Sequence, residues 1–180
     1  GFHQLDLAST SRLQVASTTE DDGPEAWRTA QLSRLMAYRL DAQVSALNLT
    51  SQVQGSQWRG QLPPGRWQVM ALYQMRTLQR VNRAAPGGEG WVIDHFDAKA
   101  VKHYLERFEQ AFAQSGVPYP TTFFNDSYEV YGADWTPRLF EEFEARRGYD
   151  LSLYLPQLLL GTGSDATQVL IDYRETLGDL

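Results

Sequence analysis

The chain contains no cysteine, which excludes disulfides and thiolate metal sites and leaves the compartment open. No apolar run approaches the roughly 18 uninterrupted residues of a membrane span, so no membrane partner is expected. The N-terminus, GFHQLDLAST, lacks the charged start and apolar block of a signal peptide. His3 and His103 stand at no ligand spacing from His95, which disfavours a histidine zinc site. The loop Ala85-Pro86-Gly87-Gly88-Glu89-Gly90 lacks the G-K-[ST] ending of a phosphate loop, and no serine sits in a nucleophile elbow. There is no internal repeat and no low-complexity segment.

What is present is a chain of 180 residues, 42% hydrophobic, enough for one domain with a real core. Its net charge of −6 is unevenly placed: residues 1–90 carry nine arginines against seven acids, residues 91–180 seven cations against fifteen acids. An acidic second half argues against nucleic acid, which needs a cationic surface. It suits a neutral ligand, or a cation held by oxygen donors.

Three segments are predicted. Residues 1–32 form a loop-rich lead-in, with the polar stretch 16–30 as its centre. Residues 33–85 are β-rich. Strands are expected at Leu35–Leu40, Leu47–Val53, Gln57–Leu62 and Arg66–Met75, the last two joined as a hairpin through Pro63-Pro64-Gly65. Arg66–Met75 carries apolar residues on both faces, as a strand covered on both sides does.

Residues 86–180 alternate differently. Asp97 is placed to cap a helix with the stripe Val101, Leu105, Phe108 and Phe112. Thr121–Ser127 is a strand candidate. Thr136 and Pro137 open a helix as N-cap and first-turn residue, and Arg146-Arg147-Gly148 stops it. A last helix starts near Ser164 with Val169, Leu170, Tyr173 and Leu177 as its stripe. This β–α alternation points to an α/β fold, a partial (β/α)8 barrel segment behind a β-rich N-terminal portion. The helix running uncapped to Leu180 suggests part of a larger chain.

The segment FFNDSYEVYG (123–132) concentrates chemistry. Asp126 and Glu129 follow two phenylalanines, with Tyr128, Tyr131 and Trp135 close by. Glycoside hydrolysis uses one carboxylic acid to protonate the leaving oxygen and a second carboxylate to activate water or attack. Aromatic rings stack on the apolar faces of sugars. The blander reading is that Asp126 caps a turn and Glu129 is merely exposed. Two carboxylates on one short segment cannot flank a scissile bond, so one catalytic acid with a tuning or binding neighbour is the better assignment. Partial burial among Phe124, Tyr128 and Trp135 is expected for Glu129. A second polar knot, Asp94-His95-Phe96-Asp97, offers His95 and Asp94 to a sugar hydroxyl, or else a helix cap and a loop histidine.

The stretches PGGEGWVIDHFDAKAVKHYLERF (86–108), FFNDSYEVYGADWTPRLFEEFEARRGYDL (123–151) and DYRETLGDL (172–180) resemble bacterial glycoside hydrolase family 106. Those proteins are α-L-rhamnosidases and rhamnosidase-like proteins. The resemblance covers about residues 33–180 and is strongest from residue 86. It implies a large multidomain protein with a catalytic (β/α)8 barrel that removes terminal α-L-rhamnose with inversion, helped by calcium. It makes Glu129 the general acid and Asp126 a tuning or binding partner in catalysis; the residue types themselves put Asn125, Tyr128, Tyr131, Trp135 and His95 forward as substrate-binding candidates. The family's general base lies downstream of Leu180. The implied partners are a carbohydrate substrate and the remainder of a longer chain, and the implied location is periplasmic or secreted. A carbohydrate-binding module, or an inactive fragment lacking the second carboxylate, is the alternative. No calcium ligands can be assigned from spacing; Asp94, Asp126 and Asp134 are oxygen donors without a diagnostic pattern.

Overall fold

A computed structural model describes residues 2–7, 24–41, 45–124 and 129–180. Its centre is an antiparallel three-stranded sheet in which β2 (Gln31–Arg39) lies between β3 (Ala46–Asn48) and β5 (Trp67–Gln74). A second sheet pairs β1 (Phe2–Asp6) with β4 (Gln57–Gln61). Helices α1 (Pro24–Trp27), α2 (Ala98–Ser115), α3 (Leu139–Arg147), α4 (Leu155–Leu160) and α5 (Ala166–Asp179) complete the described elements.

The side-chain alternation of β2 decides the layering. Leu35 and Ala37 point to one face, where Trp58, Leu49 and, from β5, Val69 and Ala71 form one hydrophobic cluster. Met36 and Tyr38 point to the other, where Met70 and Leu72 meet Phe140, Phe143, Leu151, Leu155 and Val169 from the helical layer. The register makes the division consistent: Leu35 stands opposite Ala71, Met36 opposite Met70 and Ala37 opposite Val69. The two-faced apolar pattern of β5 therefore reports burial between a small sheet and a set of helices. In the first cluster Trp58 is fully buried and its indole N–H donates to Gln52 Oε1 at 3.0 Å. Gly60 makes room for it, since a Cβ there would lie 2.7 Å from the Trp58 ring.

In the second cluster Phe143 meets Tyr149 edge-on at 4.9 Å, and the Tyr38 hydroxyl donates to the Ser152 carbonyl at 2.6 Å. Burial, and then the Asp150 carboxylate, push the Tyr38 phenol above its ordinary range. This bond ties the sheet to the 3-10 turn Leu151–Tyr154 ahead of α4. Tyr38→Phe should cost about 1 kcal/mol by leaving that carbonyl one donor short; a urea midpoint unchanged from the parent's would contradict it. Arg147, at the end of α3, reaches α5 through Thr176 Oγ1 at 3.0 Å and Asp179 at 2.6 Å.

Several expectations need correction. The strands flanking Pro63-Pro64-Gly65 do not pair as a hairpin: β4 pairs with β1, and β5 with β2. The segment expected as a strand at Leu47–Val53 is β3 followed by a 3-10 turn, Thr50–Gln52. Thr121–Phe124 forms no strand, because no neighbouring strand is there to complete a ladder among the described residues. Phe123 and Phe124 are 80% and 88% exposed, and the rest of that candidate, residues 125–127, lies outside the described residues. Thr136 does not cap α3, which starts at Leu139 behind a turn at Pro137-Arg138. Asp97 does cap α2, accepting from the Lys99 amide at 3.0 Å. The amphipathic stripe of α2 exists, yet none of its residues is buried. Every strand pairing among the described residues is antiparallel, so these residues form a mixed α/β assembly that shows no parallel barrel ladder. No described helix is long and apolar enough to cross a membrane.

Candidate active site

Where β5 ends, the chain runs on through residues 75–79 beside the start of β2. Thr29 fixes this exit by accepting from the Arg76 amide at 2.9 Å while its own hydroxyl donates to the Ala26 carbonyl at 2.7 Å. Leu78 then takes φ 54°, a left-handed conformation that costs a branched residue about 1–3 kcal/mol. Residues 79–81 lie against 90–92. The Val92 amide donates to Gln79 O at 2.9 Å, the Val81 amide donates to Gly90 O at 3.0 Å, and the Arg80 guanidinium sits 4.4 Å over the Trp91 ring.

A cavity of about 420 Å³ opens between this ladder and residues 130–137. That is within the usual range for a small-ligand site. Gln31, Gln74, Arg76, Gln79, Asp94 and Asp134 bring polar groups to its wall, Trp91 and Trp135 bring rings, and Met75, Val92, Ile93 and Val130 bring apolar surface. Amides, carboxylates and one guanidinium can pair with hydroxyls while the indoles take the apolar face of a ring. Such a wall suits a polyhydroxylated ligand.

Two side chains lash the 129–136 segment to the opposite wall. Asp94 accepts from the Phe96 amide through Oδ1 at 2.9 Å and from the Thr136 hydroxyl through Oδ2 at 2.8 Å. Thr136 is 2% exposed, so the residue expected to cap a helix instead satisfies a carboxylate. Gln79 donates from Nε2 to Glu129 O at 2.6 Å and accepts from the Tyr131 amide through Oε1 at 2.8 Å. Beyond them Trp135 packs edge-on against Phe140 at 5.1 Å, and the Tyr173 hydroxyl donates to the Asp134 carbonyl. Burial, and then the nearby Asp134 carboxylate, raise the Tyr173 phenol above its ordinary range.

The residues singled out from sequence are placed unevenly. Asn125, Asp126 and Tyr128 lie outside the described residues. Glu129 is exposed and not enclosed by Phe124, which itself faces solvent. Its neighbour Val130 lines the cavity, and Glu129 does not. Tyr131 is 71% exposed and His95 is exposed, both off the cavity wall. Trp135 is on the wall, but half of its role is packing in the helical core. Gln79, Gln74, Arg76 and Trp91 were not anticipated; only Trp91 fell in a conspicuous sequence block. Among the described residues no group of three or more His, Cys, Asp or Glu is positioned to hold a metal, and both Asp94 oxygens are already engaged.

The family profile described as alpha-L-rhamnosidase matches residues 13–180. A rhamnosidase structure from Novosphingobium sp. PP1Y superposes with a TM-score of 0.62 at 33% identity, covering 75% of this chain and 14% of that one. A protein of Formosa agariphila with the provisional name beta-glucuronidase is 35% identical over 144 residues, 74% of this chain and 12% of the other. The chain thus spans about an eighth of the length of these relatives. It belongs to glycoside hydrolase family 106, the alpha-L-rhamnosidase family.

Proposed function

We propose that this chain is part of the catalytic barrel of an inverting α-L-rhamnosidase that removes terminal rhamnose from glycosides or oligosaccharides. The observation that carries the reading is the cavity bounded by Trp91 and Trp135 and closed on one side by the segment that follows Glu129. In this reading Glu129 protonates the glycosidic oxygen as the bond breaks, and Asp126 tunes or binds beside it. A base from elsewhere in the full-length protein activates water on the opposite face of the sugar. Inversion requires the two carboxyl groups to stand about 6.5–9.5 Å apart, with the water between them. Met75, Val92, Ile93 and Val130 offer an apolar surface for the methyl group by which rhamnose differs from hydroxymethyl hexoses. The site of action is an exported one, periplasmic or extracellular.

The test is hydrolysis of 4-nitrophenyl α-L-rhamnopyranoside by the full-length protein that carries this segment, with and without calcium. Turnover is expected, with the β-anomer of rhamnose as first product by proton NMR. Loss of turnover on chelation would support a calcium requirement. Turnover of 4-nitrophenyl β-D-glucuronide in its place would overturn the sugar assignment. A binding-module reading is favoured by one feature, the 71% exposure of Tyr131 on a segment whose backbone is held. It predicts sugar affinity with no turnover of any glycoside.

A further inference from the structure

We infer that Gln79 is a positioning residue for Glu129, a side-chain clamp that holds the backbone on both sides of Val130. The inference rests on the reading of Glu129 as general acid.

The geometry of the clamp is specific. A carboxamide has one donor end and one acceptor end. Here the donor end takes the Glu129 carbonyl at 2.6 Å and the acceptor end takes the Tyr131 amide at 2.8 Å. These are the two groups, a carbonyl at one residue and an amide two residues on, that a parallel neighbouring strand would pair. Gln79 thus stands in for a strand neighbour across 50 residues of sequence. The clamp itself is anchored: its own carbonyl accepts from Val92, and the adjacent Arg80 stacks on Trp91. Leu78 holds its left-handed backbone directly before it. Gln79 and Val130 also share the cavity wall, so the clamp fixes the acid's segment relative to the space a ligand would occupy.

The chemical need is clear. Glu129 is exposed, and a general acid must be held within hydrogen-bond reach of the leaving oxygen. Misplacing a reacting group by about 1 Å can cost on the order of 10²-fold in rate. That cost depends on the leaving group. Nitrophenolate departs with little protonic help, whereas methoxide cannot.

The experiment compares Gln79→Ala and the isosteric Gln79→Glu with the parent, all as full-length protein. Two substrates are used, 4-nitrophenyl and methyl α-L-rhamnopyranoside. Gln79→Glu keeps an acceptor for Tyr131 and loses the donor for Glu129. On the methyl glycoside kcat should fall about 10–10²-fold for Gln79→Ala and at least as much for Gln79→Glu, whose carboxylate sets an acceptor against the Glu129 carbonyl, with KM nearly unchanged. On the nitrophenyl glycoside the fall should be only a few-fold. Equal losses on both substrates, or no loss on either, would overturn the clamp. Glu129→Gln run in parallel separates the two ideas. If it keeps methyl glycoside turnover, the acid assignment fails. If it loses turnover while both Gln79 variants do not, only the clamp fails.

Discussion

Glu129→Gln in the full-length protein is expected to lower kcat on an unactivated rhamnoside by about 10²–10⁴-fold, the usual contribution of a general acid. The substitution preserves shape and hydrogen-bonding reach but supplies no acidic proton. Its backbone contact with Gln79 is made through the carbonyl and survives, so the segment should stay where it is. Sugar binding should persist, since the cavity wall next to it is built by Trp91, Trp135 and their polar neighbours and does not include Glu129. Isothermal titration with rhamnose would then give a dissociation constant close to the parent's while turnover collapses. A variant that hydrolyses methyl α-L-rhamnopyranoside at the parental rate would remove Glu129 from the mechanism.

The second large effect concerns the fold. Phe143→Ala should destabilise the chain by about 3–5 kcal/mol, combining the lost transfer energy of the ring with the cavity left behind. Phe143 is 0% exposed and central to the helical cluster, where it meets Tyr149 edge-on and sits with Leu151, Leu155 and Val169 against the sheet residues Met36 and Met70. Little near it can move inward to fill the space, because α3 is fixed to α5 through Arg147 with Thr176 and Asp179. Urea denaturation followed by tryptophan fluorescence measures this directly. A loss below about 1 kcal/mol would mean that the helices do not pack on the sheet as described.

How much of this was legible in the sequence depends on how far apart the determining residues lie. β5 was readable because Trp67–Gln74 carries apolar residues on both faces, and α5 because Val169 and Tyr173 recur at helical spacing. Gly148 marked the end of α3 and does take the left-handed φ of 79° that such an end requires. The hairpin failed because a strong turn signal at Pro63-Pro64-Gly65 says only that the chain reverses, not which strand it will meet. The partner of β4 turned out to be β1, from the stretch read as a loop-rich lead-in. Thr136 has the composition of a cap, and its hydroxyl was taken by Asp94, 42 residues earlier. The family was legible from one long block around residues 123–151, whereas Gln79, which grips that block, leaves no periodic or motif signal at all.

The position of β2 carries one more consequence. Leu35 and Met36 are neighbours in the chain, yet each belongs to a different hydrophobic cluster. The strand acts as a partition wall whose bricks face alternate rooms. Inserting or deleting one residue there would send the contents of each room into the other at once, Tyr38 and its hydroxyl included. A one-residue change of length is expected to be tolerated far better in a loop such as 82–89. The partition itself can change only by substitution, one room at a time.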